Sequence, residues 1–413
     1  LGNQMTMARR YLNERLARMV LLKSSPSLMK RAHISVLHLA GRLNPGGIET
    51  WLLQVLQAAI ETHFHMDVLV VTDQPGELDD AIRQAGARLF VTNRPLNPLG
   101  QLHDLRAIHR QWGPYDIIHS HVQPGGIQLR LAQHCGISIR IAHSHTTELL
   151  APGLRFHQKI VARLTKSWVR RYATHGLACS ERAAETLFGK NWRDDPRWQV
   201  LHYGIDLTPF RERGERPGEL RHSLGLPEDA FVIGHVGRMS PEKNHKFLLT
   251  LAQALVTRMP ETYLVLVGDG PVRRQVEKWI EQKGLTERVR LLGSRRDVPA
   301  LMMNLFDLFL FPSIYEGLPL VVIEAQAAGL PIVASSAVPE EAIVIPQLIR
   351  RLSLGEPLTA WVEAVTAARQ SAHAISRDHC LSLMERSDFN IETCTRKLLQ
   401  IYQEAVSSTR PLD

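Results

Sequence analysis

Glu316 and Glu324 stand eight residues apart around the run Leu318-Pro319-Leu320. Proline suits the first turn of a helix, so a helix is predicted from Leu320, with one acid in the loop before it and the other on the helix. Unpaired N–H groups and the dipole at such an end attract an anion. Pro319 has no N–H to give, so the amides of Leu318 and Leu320 must serve. The two carboxylates accept hydrogen bonds when ionised and match hydroxyl-rich partners such as a sugar and a ribose. A second loop, Gly237-Arg238-Met239-Ser240-Pro241-Glu242-Lys243-Asn244, follows a predicted strand. Gly237 permits close backbone approach, Arg238 offers a planar fork for phosphate oxygens, and Lys243 adds a point charge. Singly, such loop charges are ordinarily just solvated. Together they can neutralise a diphosphate.

Histidines supply the other chemistry. Most of the 19 in the chain are ordinary surface or core groups, but His119 and His121, and again His143 and His145, come in pairs two residues apart. Both pairs follow predicted strands in the same half, and an extended chain points residues i and i+2 to one side. Four imidazoles at one cleft rim are therefore expected, with His119 and His121 not separable by position. Asp-x-Asp is absent, so the carboxylates that usually hold a divalent ion on a sugar diphosphate are missing, and neither metal nor cofactor is expected. Gly-x-Gly-x-x-Gly and Gly-x4-Gly-Lys-Ser/Thr are absent too, which argues against a simple dehydrogenase or P-loop NTPase. Cys135, Cys179, Cys380 and Cys394 lie too far apart for a Cys-x-x-Cys pair and read as free thiols of a reducing cytoplasm.

The elements that must position these residues alternate. Apolar runs at Ile34–Leu39, Met66–Val71, Ala87–Val91, Tyr115–Ile118, Ile139–Ala142 and Gly176–Ala178 predict strands, with helices such as Thr50–Glu61, Leu102–Trp112 and Phe156–Tyr172 between them. A Pro- and charge-rich break at Asp206–Gly218 follows, and the rhythm restarts. Strands are predicted at Phe231–His235, Thr262–Val267, Val289–Leu292, Leu308–Phe311 and Pro331–Ala334, and helices at His245–Thr257, Val272–Lys283 and Leu320–Ala328. Continuous apolar strands separated by helices indicate two doubly wound parallel sheets, an α/β architecture with a cleft between its halves. The expected boundaries are an extension at 1–31, a first domain at 32–210, a second at 211–386, and a final helix from 387 to 413. Ile391, Cys394, Leu398, Ile401 and Tyr402 recur there at helical spacing.

Length and charge set the outer bounds. A chain of 413 residues is too long for one ordinary core, and 22% charged residues is an ordinary globular value. The longest apolar stretch, Gly317 to Pro339, contains Glu324 and internal prolines, which a membrane-spanning helix seldom tolerates. Residues 1–31 hold seven basic residues against one acid, most of the net +8. A nucleic-acid binder spreads its basic charge differently, so none is expected as a partner. Met5, Ala8, Leu12, Leu16 and Met19 recur at helical spacing in this segment. It reads either as a basic amphipathic helix on an anionic membrane surface or as a plain terminal extension. The expected location is the cytoplasm, with the inner face of the membrane as the place such a helix would dock.

Seven pieces in order then carry a family resemblance. They are Asn44-Pro45-Gly46-Gly47-Ile48-Glu49, Asp116-Ile117-Ile118-His119-Ser120-His121, Ile139–His145, and Tyr203-Gly204-Ile205-Asp206. The others are Gly234–Arg238 with Lys243-Asn244, Leu266–Pro271, and the Glu-x7-Glu element from Glu316 to Glu324 with its continuation to Pro331. With them the chain resembles a glycosyltransferase of family 4, of the GT-B fold and the exopolysaccharide type. The resemblance implies two Rossmann-like domains and a last helix that crosses back to the first. It implies a retaining transfer from a nucleotide diphosphate sugar to a saccharide or lipid-linked acceptor, without metal. By position, Arg238 and Lys243 match the pair on the donor diphosphate, Glu324 the acid on the ribose, and Glu316 the one facing the sugar. Gly47 matches the loop that closes over the phosphates. The stretch around Arg295 matches the base contact, and His121 the active-site histidine, with His119, His143 and His145 on the acceptor side. Two rivals share the architecture. A non-hydrolysing nucleotide-sugar epimerase would convert the donor alone. A non-catalytic partner subunit is disfavoured by the presence of Arg238, Lys243, Glu316 and Glu324 together. After Pro331 the run Val333–Glu341 lacks the family's glycine-rich turn, which leaves the far end of the donor pocket without a counterpart.

Overall fold

A computed structural model of the chain describes residues 33–60, 62–92, 97–145, 156–212, 217–370 and 375–409. The basic segment 1–31 lies outside them. Seven strands form the first sheet: β1 (Ile34–Ala40), β2 (Phe64–Val70), β3 (Leu89–Val91), β4 (Ile117–Ser120), β5 (Ile139–Ser144), β6 (His175–Ala178) and β7 (Trp198–Val200). Six form the second: β8 (Phe231–Val236), β9 (Thr262–Val267), β10 (Val289–Gly293), β11 (Leu308–Phe311), β12 (Ile332–Ser335) and β13 (Ile349–Leu352). Their orders are β3-β2-β1-β4-β5-β6-β7 and β10-β9-β8-β11-β12-β13, and the pairings between neighbours are parallel. Chain order reverses between β1 and β4, and again between β8 and β11. Ligands of open α/β sheets bind beyond the strand ends at such switch points.

The short edge strands β7 and β13 were not among the expected elements. Trp198–Val200 has three residues, and β13 carries Arg350 and Arg351, a charged edge of the kind that blocks pairing with another chain. Helices cover both faces of each sheet. In the second sheet, Phe231, Ile233, Leu264, Leu266, Leu308 and Leu310 pack toward the helices His245–Arg258 and Leu358–Gln370. The alternate residues Val232, Val265, Phe309 and Phe311 join a core continuous with the first unit. Asp67 anchors the first sheet from inside β2. Tyr115 OH donates to its Oδ2 at 2.6 Å and the Arg88 N–H to its Oδ1 at 2.9 Å. Burial would raise the Asp67 pKa, but hydrogen bonds from His65, Arg88 and Tyr115 outweigh it and hold the carboxyl well below the usual range.

The helix Ile391–Thr409 returns from the second unit and packs on the first. It lies against the helix Gly47–Ala58, with the Trp51 Nε1–H directed at Cys394 Sγ, 3.3 Å away. Its buried stripe is Ile391, Cys394, Leu398, Tyr402, Ala405 and Val406. Where the chain leaves and re-enters the first unit, the two segments pair: the Ile205 N–H donates to Phe389 O at 2.8 Å, and the Ile391 N–H to Ile205 O at 3.0 Å. Gly204 makes this approach possible, since a Cβ there would stand 2.4 Å from Ile391 Cα. Among the described residues, no helix is long and apolar enough to cross a membrane.

Candidate active site

Two loops meet beyond the β8/β11 switch point. The first leaves β8 at Gly237, whose N–H donates to Val267 O at 2.9 Å. Its other side rests on Gly268 (φ +132°), where a Cβ would lie 2.0 Å from the Gly237 carbonyl oxygen, so only glycine fits. The loop turns at Asn244 (φ 57°), whose Nδ2 donates to Pro312 O at 3.2 Å. The Ile314 N–H donates back to Glu242 O at 2.8 Å, stapling the loops together. Lys243 Nζ donates to Glu316 Oε1 at 2.6 Å and lies 4.8 Å from the centre of the Phe311 ring. Both charged side chains are largely enclosed, at 17% and 10% exposure. Arg238 is exposed beside them.

The second loop ends at Pro319, which precedes the helix Leu320–Ala327. Its carbonyl accepts from the Val322 N–H at 3.0 Å, so the open amides lie earlier in the chain. Leu318 is nearly buried. Glu324, half-buried one turn into the helix, is pushed up to about 7 by desolvation. Gly47 opens the helix Gly47–Ala58 opposite: a Cβ there would lie 3.8 Å from Leu320 Cδ1, so the helix starts of the two units face each other. Lys243 thus meets Glu316 within the second unit, and Gly47 of the first meets Leu320 of the second. Arg295 lies in the stretch after β10 that the resemblance matches to the base contact. Its guanidinium is held by Asp297, with Nε and Nη2 donating at 2.7 and 2.5 Å on the surface.

The histidines differ from the expected rim. His119, His121, His143 and His145 are buried, at 0, 6, 1 and 8% exposure, and a fifth, His38, joins them at 0%. Strand alternation does put them on one side, with His38 paired to His119 across β1 and β4. That side is sealed by Trp51 of the helix Gly47–Ala58 and by Tyr402 of the returning helix. The Trp51 ring meets His143 edge-on at 5.4 Å, and Tyr402 OH lies 2.5 Å from His119 Nδ1. His119 Nε2 faces His143 Nδ1 at 3.1 Å, so His119 cannot reach a sugar. His121 keeps some exposure, with its nitrogens against His38 Nδ1 and His145 Nε2, each at 3.0 Å. Burial first, and neighbouring histidines second, lower the pKa of His119, His121 and His143 far below the usual value. Burial takes His145 and His38 to about 3. All five are neutral. Sequence reasoning missed His38, Trp51, Tyr203 and Tyr402; the one available signal was a histidine inside an apolar strand.

Comparison with known proteins gives a consistent set of relatives. Residues 46–204 match the family model "Glycosyl transferase 4-like domain", and residues 218–368 match "Glycosyl transferases group 1". EpsF of Bacillus subtilis (strain 168), a protein named as a glycosyltransferase, is 32% identical over 378 residues, covering 91% of this chain and 97% of EpsF. The Escherichia coli UDP-Gal:alpha-D-GlcNAc-diphosphoundecaprenol alpha-1,3-galactosyltransferase is 26% identical over 323 residues, 76% of this chain and 81% of that one. Among solved structures, Anabaena Alr3699/HepE in complex with UDP and glucose superposes with a TM-score of 0.74 at 21% identity, over 90% of this chain and all of that one. That likeness is one of fold.

Proposed function

This chain belongs to glycosyltransferase family 4, and from that premise we propose a retaining transferase that uses a nucleotide diphosphate sugar. Its acceptor is a saccharide or lipid-linked saccharide of cell-surface polysaccharide assembly, as the name of the E. coli relative supports. The observation that carries the reading is the enclosed Lys243–Glu316 pair at the β8/β11 switch point, in loops that lead to the helix start which Gly47 meets at Leu320. Without a donor, the carboxylate of Glu316 occupies Lys243. A diphosphate brings stronger negative charge, takes over the ammonium, and frees Glu316 to accept hydrogen bonds from the sugar. Arg238 and the amides near Leu318 and Leu320 add donors where the leaving diphosphate gathers charge, which is where stabilisation speeds the reaction. Glu324 takes the ribose hydroxyls.

Glu316 is not assigned as a nucleophile. Glycosidase chemistry needs two carboxylates at the scissile bond, and Glu324 sits on the helix behind it. Same-face attack, with the departing phosphate oxygen taking the acceptor proton, fits retention. His121, the most exposed of its pair, is the ring that cleft closure brings nearest the sugar; with both nitrogens taken by His38 and His145 it borders the sugar through its ring edge. No metal is required at the diphosphate, because Arg238 and Lys243 stand where Asp-x-Asp would otherwise be needed. A lipid-linked acceptor would bring the protein to the cytoplasmic face of the membrane, where the basic residues of 1–31 suit an anionic surface.

A melting-temperature screen against UDP-, GDP-, ADP- and TDP-sugars tests the donor class, because a ligand stabilises the folded state by mass action. One class should stabilise, and NMR of the product should show the donor's anomeric configuration. Donor consumed and epimerised without acceptor would reassign the enzyme. Turnover lost in chelator and restored by Mg²⁺ or Mn²⁺ would overturn the charge assignment.

A further inference from the structure

The buried imidazoles and phenols form hydrogen-bond chains that do not close. In one chain, Tyr402 OH meets His119 Nδ1, His119 Nε2 meets His143 Nδ1 at 3.1 Å, and His143 Nε2 is left without a partner. In the other, Tyr203 OH meets His145 Nδ1, His145 Nε2 meets His121 Nδ1, and His121 Nε2 meets His38 Nδ1. His38 Nε2 is left over. A neutral imidazole has one N–H and one lone pair, so each chain runs in a single direction and strands its last nitrogen. Leaving such a buried group unmet is costly. The one on His143, whose ring lies against those of His121 and His145, asks for a ligand.

We propose that His121, His143 and His145 hold one late first-row divalent cation of the zinc class beyond the carboxyl ends of β4 and β5. One ring nitrogen from each lies within 4.8 Å of the others. Bonds of about 2.0–2.1 Å at tetrahedral angles need roughly 3.3 Å between ligands, a closure that rotation of the rings supplies. The facing nitrogens of His121 and His145 are already 3.0 Å apart. His38, His119 and His121 form a second candidate set. There two rings are fully enclosed, whereas His121 and His145 keep enough exposure for an ion to enter.

The surroundings fit ligation ring by ring. With His121 Nδ1, His145 Nε2 and His143 Nε2 on the ion, each ring keeps its proton on the opposite nitrogen. His121 Nε2–H then donates to His38 Nδ1, His145 Nδ1–H to Tyr203 Oη, and His143 Nδ1–H to His119 Nε2. An acceptor for the outer N–H is what orients metal-binding histidines, and all three have one. No proton leaves: starting from a chain that runs from His38 to Tyr203, His121 and His38 each move their proton to the other ring nitrogen. Burial keeps the rings neutral, so protons do not compete at ordinary pH. Three imidazoles and no carboxylate favour zinc, copper or nickel over magnesium, calcium or manganese, and leave a fourth position open. The ion is separate from the diphosphate site and independent of the donor assignment.

The test uses the full chain, freed of metal by chelator, dialysed against dilute ZnCl₂ and then against buffer. Elemental analysis should find one zinc per chain, and the melting temperature should rise with it. The Co²⁺ form should show the strong visible absorption of a tetrahedral centre, and X-ray absorption of the zinc form should count three imidazoles. His143→Gln and His145→Gln should each remove the retained zinc, while His63→Gln, on the surface, should keep it. A wild-type chain that retains no zinc, an octahedral cobalt spectrum, or retention in both glutamine variants overturns the proposal. The wild-type stoichiometry and ligand count need no variant, so a substitution that fails to fold leaves the test standing.

Discussion

Beyond β8 the polar groups are charged and line a cleft, with Lys243 and Glu316 paired and Arg238 in solvent. Beyond β4, at the equivalent switch point of the first sheet, they are neutral imidazoles sealed under two helices. One topology therefore supports two electrostatic solutions. Charges that await a charged ligand must stay near water, because an unoccupied buried charge is too costly. Neutral hydrogen-bonding groups can be enclosed, provided they satisfy one another. Substitutions at the first place should therefore cost binding, and substitutions at the second should cost stability.

The harshest way to break this contrast is to remove the seal. A chain ending after Arg386 loses Tyr402, Cys394 and the buried stripe around them, which should unfold the first unit and abolish transfer. A first-unit melting transition unchanged by that truncation, followed by calorimetry, would refute the crossing helix as its cover. Lys243→Ala should weaken nucleoside diphosphate binding by roughly ten- to over a hundredfold, since a charged hydrogen bond is worth about 1.5–3 kcal/mol. Isothermal titration of wild type and variant decides the matter, and equal affinities would take Lys243 out of the site.

Tyr402→Phe is the matching change in the first unit. It leaves His119 Nδ1 unmet and should cost about 1–2 kcal/mol in denaturant unfolding, with diphosphate affinity unaltered. A loss of affinity there would mean that the two regions are coupled. The gentlest test concerns Glu324, whose pKa is about 7 in the folded protein against 4.5 when unperturbed. A raised carboxyl stabilises the fold below about pH 4.5, and that contribution is lost as pH rises through 7. The full shift corresponds to about 3 kcal/mol, and solvent screening of a group beside an open cleft leaves about 1 kcal/mol of it. Glu324→Gln should thus melt like wild type at pH 4 and above it at pH 8. Equal melting at both values would show that Glu324 titrates normally.

The loops beyond β8 and β11 were legible because the fold constrains their residues. Gly237, Lys243 and Pro319 directly follow strands or begin helices, and charge in a loop after a parallel strand has few roles. The pairing of Lys243 with Glu316 across 73 residues was not legible, since it depends on how two loops are stapled. The histidine spacing correctly put four rings on one side of the sheet. Their burial escaped because Tyr402, their cover, comes from 283 residues beyond His119. Local pattern cannot report what a distant helix will seal. The Arg295 stretch was chosen from its place in a family match, and the bonding of its guanidinium to Asp297, two residues on, was not foreseen.

The returning helix also orders events on the ribosome. The strands of the first sheet emerge early, but the segment that seals them is made last. Roughly 200 residues separate Ile205 from Tyr402, which at about 5–20 residues per second means some 10–40 s of translation. Throughout that interval the imidazole face and the groove beside Trp51 are open to nascent-chain chaperones. The unit synthesised first is thus the one completed last, and a ribosome stalled anywhere in the second unit leaves it unsealed.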